Sequence, residues 1–148
     1  MTDFRAAGPA DGPVLHDLMR SFNQEQGFHW HQEMAGAMDR LLQDPALGRA
    51  WLIEPGGETA GYIVICFSFS LEFRGRDGFV DELYIHPRFR GRGLGRAALV
   101  HAAEEARGMG VRALHLEVAR GDPRLVRLYE SLGYRERPHP FRTLILDP

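Results

Sequence analysis

Between residues 83 and 96 the chain reads Leu83-Tyr84-Ile85-His86-Pro87-Arg88-Phe89-Arg90-Gly91-Arg92-Gly93-Leu94-Gly95-Arg96, an apolar run that passes through closely spaced glycines into an alanine-rich stretch. Glycine has no Cβ, so backbone N–H groups in such a turn can converge on a ligand without steric conflict. At the start of a helix those donors have no intrahelical acceptor and carry partial positive charge, which makes a site for phosphate; a pyrophosphate fits this description. Position separates this turn from other phosphate loops. A dinucleotide fingerprint sits on the first strand of its domain, whereas this turn comes past mid-chain, and a P-loop needs Gly-Lys-Ser/Thr where this chain has Arg96-Ala97. Arg88, Arg90, Arg92 and Arg96 crowd the same stretch and could meet a small polyanion. Arg92 and Arg96 are the candidates for phosphate contact, and Arg88 reads as a solvated rim.

A second set of residues could move protons. Glu82 lies in the run Phe79-Val80-Asp81-Glu82-Leu83-Tyr84-Ile85, which reads as a strand, and Glu117 in another from Val111 to Val118. Each could equally form a cross-strand ion pair with an arginine. Successive strand residues point to opposite faces, so Asp81 and Glu82 do not both enter one site from a regular strand. Tyr129 falls on the helical face of Leu125, Leu128 and Leu132, where periodicity alone makes it a core aromatic. His29 and His31 stand two apart with no third ligand nearby in sequence, which argues against a metal. Cys66, the single cysteine, sits in the apolar run Tyr62 to Phe67 and reads as core filler.

The elements that must position these groups follow from periodicity and punctuation. After an opening strand at Phe4-Arg5, Pro13 suits the first turn of a helix carrying Val14, Leu15, Leu18, Met19 and Phe22 at helical spacing. A second helix runs through Trp30, Met34, Met38, Leu41 and Leu42 and ends at Asp44-Pro45. Residues 50–54 and 59–71, joined by Pro55-Gly56-Gly57-Glu58, read as a hairpin, and Gly75 to Gly78 turns the chain into the fourth strand. The glycine turn then opens a third helix with Leu94, Ala98, Ala102, Ala106 and Met109 on one face. A fifth strand, Val111 to Val118, precedes a fourth helix begun by Asp122-Pro123 and ended by Gly133. Tyr134 to Arg137 and Phe141 to Leu146, split by Pro138-His139-Pro140, read as two final strands.

Length and composition bound the answer. A chain of 148 residues fits one domain spanning 1–148, and its apolar and charged fractions are those of an ordinary globular protein. A formal charge of −2 argues against a nucleic-acid-coating protein. The start Met1-Thr2-Asp3-Phe4-Arg5 lacks a basic region followed by an apolar stretch, and no segment reaches membrane-spanning length. The expectation is a soluble, cytoplasmic protein that neither binds nucleic acid nor enters a membrane.

Arg90-Gly91-Arg92-Gly93-Leu94-Gly95 resembles the Arg/Gln-x-x-Gly-x-Gly/Ala coenzyme A motif of the GCN5-related N-acetyltransferases, preceded by the strand and His-Pro turn of that family. Leu116 to Tyr134 is similar to the family's second block, so the resemblance is close over residues 79 to 134 and rests on element order elsewhere. It implies an α/β (α+β) fold: a mixed, mostly antiparallel central sheet of about seven strands flanked by four helices, with the fourth and fifth strands splayed. Backbone groups of Leu83, Tyr84 and Ile85 would then pair with the pantetheine arm of acetyl-CoA, and Arg90, Gly91, Arg92, Gly93, Leu94, Gly95 and Arg96 would hold its pyrophosphate. A backbone N–H on the fourth strand would polarise the thioester carbonyl.

The implied activity is direct transfer of an acetyl group to an amine-bearing acceptor (a small molecule, a polyamine or a peptide amine) within a ternary complex, without a metal. A lysine-like amine is neutral in roughly one molecule per thousand near pH 7, so a base must take its proton. Family members that acetylate protein N-termini resemble the chain at Leu116-Glu117-Val118, which favours Glu117; polyamine acetyltransferases carry paired acids where Asp81-Glu82 stand, which favours Glu82. Tyr129 matches the tyrosine that protonates the leaving thiolate. The family often has asparagine at the position of Asp122, which either contacts the coenzyme or caps the fourth helix. Phe28, His29, Trp30, His31 and the aromatic run 67–73 either line the acceptor pocket or pack, and a homodimer is expected by analogy. A non-catalytic acyl-CoA sensor on the same fold is the competing reading.

Overall fold

The apolar runs at Gly48–Pro55 and Gly61–Ser70 are buried over most of their length, as strands in the middle of a covered sheet must be. The computed structural model describes residues 1–119 and 121–147, in two compact units, Met1–Leu116 and Glu117–Pro148. In the first unit the chain runs β1 (Thr2–Ala6), α1 (Gly12–Gln26), α2 (Gln32–Gln43), β2 (Gly48–Pro55), β3 (Gly61–Ser70), β4 (Gly75–Ile85), α3 (Leu94–Gly108) and β5 (Leu114–His115). The second unit contains α4 (Pro123–Ser131).

Strands lie side by side in chain order, the first three pairings antiparallel and β4 to β5 parallel. Alternation then sorts the core into two layers. Ala50 and Leu52 of β2, Tyr62 and Val64 of β3 and Tyr84 of β4 meet Leu15 and Met19 of α1 and Met38 of α2 on one face. Trp51, Ile53, Ile63 and Ile65 point the other way, and α3 buries Leu94, Ala98, Leu99, Ala102 and Ala106. Helix α1 ends where Gly27 takes a left-handed conformation, φ 75°. Trp30, expected inside the second helix, precedes α2, with the Arg20 guanidinium 5.3 Å from its ring centroid.

Two features of β4 shape the site. Val64 stands opposite Glu82 and Ile65 opposite Val80, so Asp81 is an extra residue, a β-bulge. The ladder to β5 is short, pairing Gly78 with Leu114 and Phe79 with His115, while β4 continues to Ile85. A bulge bends its strand and increases the twist, and this one begins where the two strands part. As the expected splay requires, β4 runs on to Ile85 past Phe79, its last residue paired with β5.

The same divergence corrects the expected fifth strand. Instead of running from Val111 to Val118, β5 spans only Leu114–His115, the two residues that pair with β4. The two final strands expected at Tyr134 to Arg137 and Phe141 to Leu146 are not strands either, so the described residues contain five strands rather than seven. Pro138 and Pro140 lack ladder donors between the two runs, and the side chains of Phe141, Leu144, Ile145 and Leu146 are exposed.

Candidate active site

The open edge of β4 follows from its pairing. The His86 N–H bonds the Ala60 carbonyl at 2.8 Å, in register with the β3–β4 ladder. Bonded and non-bonded pairs alternate along an antiparallel pair. Tyr84 is therefore bonded to Tyr62, while the N–H and C=O groups of Leu83 and Ile85 point away from β3, to the side β5 has left. The Tyr84 carbonyl lies so close to β3 that a Cβ on Gly61 would collide with it. The expectation for residues 83 to 85 thus divides. Leu83 offers both backbone groups to the open edge, the Ile85 carbonyl accepts from Arg90 Nε at 2.8 Å, and the Tyr84 backbone is committed to β3 with its side chain in the core.

At the end of β4 a short 3-10 turn, Pro87–Phe89, leads into the glycines. Gly91 (φ 77°) and Gly93 (φ 74°) are both left-handed. That conformation costs other residues about 1–2 kcal/mol. Gly93 is the N-cap of α3 and supplies no capping side chain. The Ala97 N–H to Gly93 carbonyl bond, 3.0 Å, comes at the first helical position that can make one, so earlier amides lie outside the ladder. Among the described residues, a Cβ built on Gly91, Gly93 or Gly95 would meet nothing within 4 Å, which leaves the space in front of this turn open. A concavity of about 430 Å³ opens beside it, between Phe4 of β1 and Gly93, Arg96 and Ala97. Backbone donors, a helix start and empty space are the donor set a pyrophosphate requires.

Phe89 is buried, and the guanidinium groups of Arg88 and Arg92 lie 4.6 Å and 5.4 Å from its ring centroid. Such stacking holds a cation against the ring face. Arg88 also pairs with Glu58, consistent with a rim role. Arg90 differs from the expected phosphate ligand: besides Ile85 it holds Glu25 Oε2 of α1 at 2.6 Å and lies 5.8 Å from the Tyr84 ring centroid, so its guanidinium is engaged within the protein.

Glu82 is half-buried and accepts a hydrogen bond from the Tyr62 hydroxyl at 2.8 Å. Burial pushes its carboxyl above the ordinary glutamate range; the Tyr62 bond pulls the other way, and the Asp81 charge adds to the rise. The argument from alternation holds for a regular strand, and the bulge makes this one irregular, with Asp81 exposed and Glu82 half-buried. Burial, followed by the charges of Asp81 and Glu82, pushes the Cys66 thiol up to about 12. Cys66 in turn packs beside the cluster that contains Tyr62. Asp81 and Glu82 therefore act on the same neighbours, because β4 is not regular there. Cys66 is an inert, protonated thiol at neutral pH, in keeping with a packing role.

Residues 15–134 match the sequence profile described as the acetyltransferase (GNAT) family. This chain belongs to the GNAT family. It is 33% identical over 84 residues to thialysine N-epsilon-acetyltransferase of Bos taurus, a stretch of 56% of this chain and 49% of that protein, so the chain spans about half the length of that relative. The Mus musculus protein of the same name is 30% identical over 132 residues, 81% of this chain and 78% of that one. Among solved structures, an integron cassette protein from the mobile metagenome of Cole Harbour Salt Marsh superposes with a TM-score of 0.87 at 40% identity, covering 98% of this chain and 91% of that one.

The remaining candidates of this GNAT chain lie in the second unit. Glu117 follows the end of β5, outside any strand and exposed. Asp122 is the N-cap of α4, its Oδ1 accepting from the N–H groups of Arg124 (3.1 Å) and Leu125 (3.3 Å). Tyr129 is half-buried, with its ring centroid 6.0 Å from that of Tyr134. Burial, then the Asp122 charge, pushes its pKa up, so the phenol is protonated at neutral pH. Sequence reasoning missed Tyr62. Its only signal is a hydroxyl inside an otherwise apolar strand, which gains meaning once register sets it diagonal to Glu82. Among the described residues no helix is long and apolar enough to cross a membrane.

Proposed function

We propose that this chain is an acetyl-CoA-dependent N-acetyltransferase acting on a primary amine by direct attack in a ternary complex, working as one domain over residues 1–148. The observation that carries this reading is the pairing of an open glycine turn with a half-buried, tyrosine-held glutamate at the bulge of β4. A family match running from 15 to 134 through both units supports a single domain.

Backbone amides from Gly91 to Arg96, with Arg92 and Arg96 beside them, hold the pyrophosphate, and Leu83 together with the Ile85 N–H pairs with the pantetheine arm. Glu82 is the preferred base: its raised pKa makes it a better proton acceptor than an ordinary carboxylate, whereas Glu117 is solvent-exposed. Glu82 takes the ammonium proton, and the freed nitrogen lone pair forms a bond to the thioester carbonyl carbon. A backbone N–H of β4 stabilises the oxyanion as the C–S bond breaks. Tyr129 donates its proton to the leaving thiolate, and the second proton on the acylated nitrogen restores the phenol through water, giving an acetamide, free coenzyme A and a protonated Glu82 that returns its proton to solvent. Asp122 serves this scheme as a helix cap.

The acceptor we favour is the side-chain amine of a lysine-like molecule, supported by the names of the bovine and mouse relatives and by the adjacent carboxylates Asp81 and Glu82, which suit a cation. A cytoplasmic setting and a homodimer complete the proposal; light scattering checks the dimer. The test of the whole is free-thiol release from acetyl-CoA in the presence of thialysine, lysine and simple diamines. Amine-dependent release is expected. Tight coenzyme binding with no release from any of them would favour the acyl-CoA sensor instead.

A further inference from the structure

Arg90 opens the glycine motif, yet its guanidinium turns back into the protein. Nε donates to the Ile85 carbonyl at 2.8 Å, Nη2 donates to Glu25 Oε2 at 2.6 Å, and the group lies 5.8 Å from the Tyr84 ring centroid. Glu25 sits near the end of α1, one turn after Phe22, whose ring meets that of Tyr84 edge-on at 6.2 Å. Three parts of the first unit thus converge on one guanidinium: the end of α1, the end of β4 and the turn that leads to Gly91 and Gly93. The Ile85 carbonyl points to the open edge, where no described strand satisfies it, so the Arg90 bond supplies its partner. Arginine suits the position because one planar group can donate in several directions at once.

From this juxtaposition we infer that Arg90 is a positioning residue, fixed by Glu25, which holds the end of α1 and the coenzyme turn as one body. This inference rests on the proposed function for what the turn binds. Among the described residues Arg90 is the hydrogen-bond partner of the Glu25 carboxylate, and the double variant shows whether the effect of Glu25 on coenzyme affinity passes through it. The link also ties the turn to the segment between α1 and α2, which carries Phe28, His29, Trp30 and His31.

Calorimetry with coenzyme A itself, on the full chain, tests it. Glu25→Ala is expected to weaken binding by about threefold, the size of an exposed charge-assisted pair, with the melting temperature close to that of wild type. Arg90→Ala is expected to weaken it more, and adding Glu25→Ala to Arg90→Ala should cost nothing further, because the path is already cut. Glu25→Asp and Arg90→Lys distinguish reach from charge: lysine cannot serve Ile85 and Glu25 together and should not restore affinity, whereas partial recovery is expected with aspartate. Hydrogen exchange gives a readout independent of turnover. Coenzyme A should slow exchange at residues 24–28 in the wild type and not in Arg90→Ala. If wild type binds coenzyme A but Glu25→Ala binds it equally well, or if the two alanine effects simply add, the coupling is wrong. If wild type binds no coenzyme A, the proposed function fails instead.

Discussion

The two ends of the proposed site are built by different means. The coenzyme end, residues 86–96, is made of main chain: left-handed glycines, an uncapped helix start and open space in front of them. The acceptor end is made of side chains from two strands, Tyr62 of β3 and Asp81 and Glu82 of β4, brought together by one extra residue in a ladder. A backbone device tolerates many side chains but few replacements of glycine. A side-chain device depends on one hydroxyl and one carboxyl, and on a register that fixes them. Substitutions at the acceptor end should therefore change rate and pH dependence, and those at the coenzyme end affinity.

The largest expected effect is at the proposed base. Glu82→Gln should lower kcat/KM for the amine by about a hundredfold to ten-thousandfold with coenzyme affinity little changed, as stopped assays and calorimetry would show. A fall in coenzyme affinity with kcat intact would merge the two ends. The same variant carries a stability signature. Because folding raises the Glu82 pKa, the native state binds more protons than the unfolded chain, and wild type loses stability as pH rises from about 4.3 through the folded value. Thermal melts across that interval should show a gentler decline for Glu82→Gln than for wild type.

Next in size is Gly93→Ala, which places a Cβ in the left-handed conformation and in the space in front of the turn. It should weaken coenzyme A binding by about tenfold and lower the melting temperature, leaving the pH dependence of turnover unchanged. Tyr62→Phe is subtler. The hydroxyl stabilises the ionised carboxylate, so removing it should raise the Glu82 pKa further and move the acid limb of the kcat/KM profile to higher pH. A limb displaced downward would mean the tyrosine acts otherwise. The smallest effect lies on α3, in the wall of the concavity beside the turn. Among the described residues, His101 Nε2 is buried without a hydrogen-bond partner while its ring stacks on Phe4 at 4.7 Å. His101→Phe should therefore stabilise the fold by about 1 kcal/mol in denaturant titrations, with activity retained.

The same contrast explains what is legible in the sequence. The order from β1 to α4 can be read because helical and strand periodicities differ and because Gly and Pro mark the breaks, and the coenzyme turn can be read because left-handed backbone demands glycine. Glu82 stands out as a candidate, but its partner does not. Tyr62 lies in an apolar run, and only the hairpin register brings it to the carboxylate. Alternation assigns Asp81 to the opposite face because nothing in Val80-Asp81-Glu82 announces a bulge. Arg90 has the spacing of a phosphate ligand, and its engagement with Glu25 depends on a helix end 65 residues earlier in the chain. The C-terminal runs have strand-like composition but form no strand among the described residues, and strand pairing is a property of two segments, not one.

Whether Glu82 deprotonates the amine is tested most directly by the pH dependence of kcat/KM for a thialysine-like acceptor, with wild type and Glu82→Gln compared under saturating acetyl-CoA. With Glu82 as the base, wild type shows an acid limb above the ordinary glutamate range and the variant, slower throughout, lacks it. An unchanged limb and an unchanged rate in Glu82→Gln would contradict that role.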